Sequence, residues 1–103
     1  MNKNLRIECF DNFPSSYMVI GEIEITPIAR RILTDNDIKT ALTRHSLCDF
    51  GEVPWGYHNE NLVCIEKTHG SVTSNYTSQT GEKFCIITRI DEFDPKTTIT
   101  SLQ

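Results

Sequence analysis

Apolar and polar residues alternate through YMVIGEIEIT, residues 17 to 26, with Val19, Gly21, Ile23 and Ile25 on one set of positions and Ile20, Glu22, Glu24 and Thr26 on the other. Such a period of two is what a strand with one buried face requires, so this segment is expected to be a strand that turns its glutamates to solvent. Pro27 ends it. Its fixed φ and missing N–H suit the first turn of a helix, which predicts a short helix through residues 29 to 33.

The period changes at TDNDIKTALTRH. Ile38, Ala41, Leu42 and His45 fall at i, i+3, i+4 and i+7, one face of a helix. Its start is signposted: Thr34 is a capping residue, Asp37 completes a capping box, and Leu33 can staple onto Ile38. Early aspartates and the late Arg44 match the helix dipole. A second main helix is predicted over NENLVCIEKTHG, capped by Asn59, with Leu62 and Ile65 on one face and Gly70 ending it. SVTSNYT and KFCIITRI flank SQTGE, the pattern of a hairpin, and TTITSL follows the polar turn DEFDPK as a last strand. Residues 1 to 16 carry a weaker alternation, Leu5, Ile7 and Cys9, which reads as an edge strand or a loose arm.

A strand, then helices, then consecutive strands implies an α+β fold: an antiparallel sheet of four to five strands with two main helices packed on one face. A chain of 103 residues supports one hydrophobic core, so residues 1–103 are expected to form a single domain, a monomer or a small homo-oligomer. With 38% hydrophobic and 23% charged residues the composition lies outside the disordered regime. The net charge of -4 disfavours direct nucleic-acid binding, which needs a basic surface to displace counterions from phosphates. No apolar run approaches the ~20 residues of a membrane span, and the polar start lacks a signal-peptide core, so a cytoplasmic location without membrane contact is expected.

Candidate chemistry is sparse. Cys9, Cys48, Cys64 and Cys85 include no C-x-x-C pair, and reduced, mostly buried thiols are expected, with no disulfide, metal or cofactor. Cys64 and His69, five residues apart on one predicted helix, point to different faces. Cys85 sits in the apolar FCIIT, where a thiol is inert packing. His45, His58 and His69, even with Asp49 or Glu52, lack the i, i+4 spacing of a helical metal site. His45 and His69 fall at helix C-termini, where the dipole favours an imidazolium. The pairs Glu22/Glu24 and Asp35/Asp37 read as solvated carboxylates, and no nucleotide or hydrolase motif is present. A non-enzymatic role is therefore expected; the alternative is a small hydrolase or transferase using Cys85 or His58.

The most unusual stretch is FGEVPWGYHNEN, residues 50 to 61, which holds Phe50, Tyr57 and the chain's single tryptophan, Trp55. Gly51, Pro54 and Gly56 are expected to hold an irregular loop, and loops on a rigid scaffold concentrate binding residues. Trp55 and Tyr57, flanked by Asp49, Glu52 and Glu60, form the candidate partner-contact patch. Burial of Trp55 in the core is the competing reading.

Asp49-Phe50-Gly51-Glu52, Asn59-Glu60-Asn61-Leu62, Ser74-Asn75-Tyr76, Thr80-Gly81-Glu82-Lys83, Ile86-Ile87-Thr88 and Thr97-Thr98-Ile99, with Ile25-Thr26-Pro27 upstream, together resemble a family of small uncharacterised bacterial proteins. That family is common on plasmids and other mobile elements and often carries the label "type I restriction endonuclease subunit M". The chain departs from it in having Phe50 for a tryptophan, Arg89 where an acidic residue is usual nearby, and no leucine-proline ending. The label itself does not suit 103 residues, because a methyltransferase subunit needs a doubly wound cofactor domain. The resemblance implies a fold and a mobile-element setting, with no catalytic residue. It also implies that Phe50 is a core plug and that Trp55 and Tyr57 are local additions to a polar segment. The expected function is that of a mobile-element accessory protein acting by protein contact, such as an inhibitor of a nucleic-acid-processing host defence complex of the anti-CRISPR or anti-restriction type. Its carboxylates at Glu22 and Glu24, Asp35 and Asp37, and Asp91 to Asp94 would dock on basic channels.

Overall fold

The computed structural model of the chain describes residues 18–91 and 93–102. The alternation over residues 1 to 16 lies outside these. The elements are β1 (Glu22–Ile25), α1 (Pro27–Ile32), α2 (Asp35–Ser46), α3 (Trp55–Lys67), β2 (Gly70–Thr77), β3 (Lys83–Ile90) and β4 (Lys96–Ser101). They form an α+β fold with one four-stranded sheet in the order β1-β4-β3-β2. The β2–β3 and β3–β4 pairs are antiparallel, as the hairpin pattern requires. β1 instead lies parallel to β4, with Ile23 opposite Thr97 and Ile25 opposite Ile99. The helical crossover from β1 to β2 carries the chain from one edge of the sheet to the other, and such a long connection is what allows a parallel strand to join a meander. No helix among the described residues is long and apolar enough to cross a membrane.

The helix starts follow their local chemistry. Thr26 caps α1 by accepting from the Ala29 N–H, with Pro27 in the first turn. At α2 the Thr34 hydroxyl accepts from the Asp37 N–H and the Asp37 carboxylate from the Thr34 N–H, both at 3.0 Å, the reciprocal box expected from the sequence. α2 buries Ile38, Ala41, Leu42 and His45. The first two helices and the sheet enclose a core that includes Ile20, Leu33, Tyr76, Phe84, Ile86 and Ile99.

α3 departs from expectation. It begins at Trp55 behind Pro54, which is extended at ψ 151° and makes no side-chain cap, so Asn59 lies within the helix. Its end also differs: Thr68 takes the left-handed conformation at φ 55°, while Gly70, at φ 110°, opens β2. α3 presents Cys64 and Ile65, rather than Leu62 and Ile65, to a second, smaller cluster of Met18, Phe50 and Val72. Its one fully buried residue is Asn61. That amide donates to the Thr73 carbonyl at 2.8 Å and accepts from the Thr73 N–H at 3.1 Å, so it caps the outer edge of β2 as a neighbouring strand would.

Candidate functional site

Residues 47–54, which join α2 to α3, are fixed by a chain of polar contacts. Arg44 Nε and Nη2 bind the two Asp49 oxygens at 2.8 and 3.2 Å, and Asp49 Oδ1 also accepts from the Gly51 N–H. Tyr76 donates its hydroxyl to the Asp49 carbonyl at 2.6 Å, and the Arg44 guanidinium lies 4.8 Å from the centre of the Tyr76 ring. Gly51, at φ 69°, lets the chain bridge to Asn75, whose N–H and C=O bond Phe50 and Glu52. The Arg44 hydrogen bond is the main reason the Asp49 carboxyl is held below the usual range; burial opposes it more weakly. The Glu52 carboxylate accepts from the Thr77 hydroxyl at 2.9 Å and pairs with Lys83 at 3.5 Å. Asp49 and Glu52 therefore work within the fold.

Trp55 and Tyr57 do not sit on an irregular loop. Both occupy the first turn of α3 and are exposed, at 76% and 49%. Positions i and i+2 of a helix do not share a face. Tyr57 shares its flank with the exposed Glu60 at i+3, and Trp55 shares its own with Leu62 at i+7. Leu62 and Val63 are 42% and 46% exposed, so the outward side of α3 carries an apolar stripe of Trp55, Leu62 and Val63. Reading the helix from Asn59 hid this stripe. Starting it at Trp55 brings the i+7 and i+8 spacing out.

The indole is held in place. Trp55 stacks on the His58 ring with centroids 5.4 Å apart and planes 5° from parallel, and His58 meets Phe50 edge-on at 5.4 Å. Phe50 is 2% exposed and packs in the smaller core, where the resemblance had implied a plug. Three rings thus run from the interior to the surface, with Trp55 outermost.

The histidines and cysteines weighed as metal ligands or catalytic groups are placed differently. His45 is fully buried, with Nδ1 2.6 Å from Ser74 Oγ and Nε2 2.9 Å from Thr88 Oγ1. Thr88 Oγ1 lies 2.6 Å from Thr97 Oγ1, which donates to the Ile20 carbonyl at 2.7 Å. With that last proton committed, one arrangement satisfies the rest. Thr88 donates to Thr97, the His45 Nε2–H donates to Thr88, and Ser74 donates to Nδ1. Every member is consumed by a neutral imidazole, so the helix-end imidazolium expected from the dipole is overturned. Desolvation outweighs the dipole and pushes the His45 pKa down to about 3. The serine–histidine pair has no access for a substrate, since both side chains are fully buried. Cys85 is buried too, and burial pushes its thiol up, away from the reactive thiolate. His58 is engaged between two rings. Among the described residues no three metal-ligating side chains gather.

The acidic clusters divide in the same way. Asp37 is buried, shared between the α2 cap and the Gln79 N–H, and Asp35 pairs with Arg30 at 3.6 Å. Of the two carboxylates expected to be solvated, Asp35 is exposed and Asp37 is not. Asp91 accepts from the Phe93 and Asp94 N–H groups in a turn, and Glu22 and Glu24 remain exposed.

No protein-family model, curated protein or solved structure matches this chain. The residues that carried the family resemblance lie mostly in internal bonding: Asp49 on Arg44, Asn61 on the β2 edge, and Ser74, Thr88 and Thr97 on His45. Phe50, Glu60 and Leu62, which also carried it, lie beside the exposed aromatics.

Proposed function

We propose that the protein is a non-enzymatic binding module that contacts another protein through the outward side of α3, with Trp55 as the anchor. The supporting observation is the Trp55–His58–Phe50 ladder, which keeps a mostly exposed indole in one orientation. A rigid, preorganised aromatic loses little entropy on binding, and tryptophan is among the residues that dominate binding energy when a partner covers it. Leu62 and Val63 extend the apolar surface along the helix. Tyr57 and Glu60, on the adjoining flank, form its polar border. Asp49 and Glu52 support the loop beneath and are not contact residues in this reading.

The partner class follows from the resemblance to mobile-element proteins: a nucleic-acid-processing host defence complex, inhibited by occlusion. The exposed Glu22 and Glu24 are among the carboxylates that can steer such an encounter. The test compares tagged wild-type and Trp55→Ala chains of equal secondary structure as baits in host extract. The proposal expects the wild type to retain a stoichiometric protein that the variant releases. Equal retention, or turnover of a substrate by the chain alone, would overturn it.

A further inference from the structure

The two edges of the sheet are finished differently. At β2 the outward groups of Thr73 bond Asn61, and those of Asn75 bond Phe50 and Glu52. At β1 the Glu22 and Thr26 N–H groups donate inward to the Pro95 and Ile99 carbonyls of the β4 side. Strand alternation therefore turns the N–H and C=O of Ile23 and Ile25 outward, where no described residue bonds them. Beside this edge runs a groove of about 400 Å³ whose lining joins the apolar Ile23, Ile25, Ile38 and Leu42 to the charged Arg30, Asp35 and Lys39. On the opposite face project the exposed Glu22 and Glu24. Glu22 stands next to Lys96, whereas the neighbour of Glu24 is the uncharged Thr98, and Glu24 forms no ion pair among the described residues.

We propose that the outer edge of β1 takes an extended segment of a partner protein with an apolar–basic–apolar order. Its backbone would continue the sheet through Ile23 and Ile25, its two apolar side chains would enter the groove, and its basic side chain would stand beside Glu24. Alternation along the added strand sends these groups to opposite faces, which is why the order matters. A second copy fits poorly. The two-fold antiparallel β1 pair that joins Ile23 to Ile25 sets Glu24 opposite the same residue of the second copy, and the pair centred on Ile23 sets it opposite Glu22; like charges directly opposite are destabilising. This surface lies at the other edge of the sheet from β2, where α3 packs, and stands whether or not Trp55 contacts a partner.

The full chain, labelled with nitrogen-15, is titrated with the synthetic peptide Ser-Thr-Val-Lys-Val-Thr-Ser and with its Val-Glu-Val counterpart. The lysine peptide is expected to slow amide exchange at Ile23 and Ile25, and Glu24→Lys to weaken its binding by about five-fold while strengthening the glutamate peptide by a similar factor. Glu24 is exposed, so the variant keeps the fold. Absence of binding, equal binding of the two peptides, or indifference to Glu24→Lys would overturn the proposal. So would slow exchange at Ile23 and Ile25 in the peptide-free chain, which would assign the edge to another occupant. Sedimentation as a dimer would then identify a second copy, and a monomer would point to residues 1–17, whose Leu5, Arg6 and Ile7 have the same order.

Discussion

Lowering the pH from 7.5 to 5 should remove about 2 kcal/mol of folding stability through His45 alone. The imidazole is held neutral in the folded chain, with its pKa moved from 6.5 to about 3 by burial. A depressed folded pKa means that the unfolded chain takes up the proton first as the pH falls. The stabilisation is therefore complete above the unfolded value and declines below it, by about 1.4 kcal/mol per pH unit, until the folded pKa is reached. Over 1.5 units this gives the ~2 kcal/mol, and about 3 kcal/mol by pH 4. Urea unfolding followed by far-ultraviolet circular dichroism at several pH values measures it. The control is His45→Gln, which keeps a donor and an acceptor in the network but cannot titrate. The variant is expected to be less stable at pH 7.5 and to show a flat profile between pH 7 and 5. Equal slopes for the wild type and His45→Gln, or wild-type stability that rises as the pH falls, would refute the neutral-imidazole network.

Other consequences concern the supports of the site. Asn61→Leu should cost about 2 kcal/mol in urea unfolding, because the half-buried Thr73 N–H and C=O lose their partner, and exchange of the Thr73 amide should accelerate. Asp37→Ala removes one half of the α2 capping box and the acceptor for Gln79, and should lower stability by about 1 to 2 kcal/mol in thermal melts. Gly51→Ala is expected to cost about 2 kcal/mol or more, since its φ of 69° disfavours a side chain and the new Cβ would collide with the Asn75 carbonyl and lie 2.7 Å from the Tyr76 ring. Trp55→Ala should change stability by less than about 1.5 kcal/mol, from the minor part of the indole that is covered, whereas a core tryptophan would cost about 3 to 5 kcal/mol.

Local signals in the sequence carried much of this structure. The capping box at Thr34 and Asp37 is a contact between residues three apart, so it could be read before any tertiary contact was known. The strands of the hairpin were legible as β-rich runs about a glycine-containing connection. α3 was less legible because its first turn, Trp55-Gly56-Tyr57-His58, contains a glycine and three rings, and its start at Pro54 has no capping side chain. The helix therefore looked like a loop, and the stripe of Trp55, Leu62 and Val63 was not seen as one face. The parallel pairing of β1 depends on where a crossover lands, which no local pattern encodes. His45 shows how tertiary context reverses a local preference: a helix end favours the cation, but Ser74 and Thr88, distant in sequence, enclose a neutral ring. Asp49 and Glu52 were read as a rim because their partners, Arg44, Thr77 and Lys83, could not be assigned from spacing.

The most direct test of the binding role uses the single tryptophan. Labelling with 5-fluorotryptophan gives one fluorine resonance, from Trp55, in the intact chain. This resonance is expected to shift between light and heavy water, as that of a solvent-exposed ring does, and to lose that sensitivity while broadening when the host-extract fraction retained by the wild-type chain is added. A resonance insensitive to heavy water in the free chain, or one that stays sharp and unshifted in that fraction, would contradict a protein-contact surface anchored on Trp55.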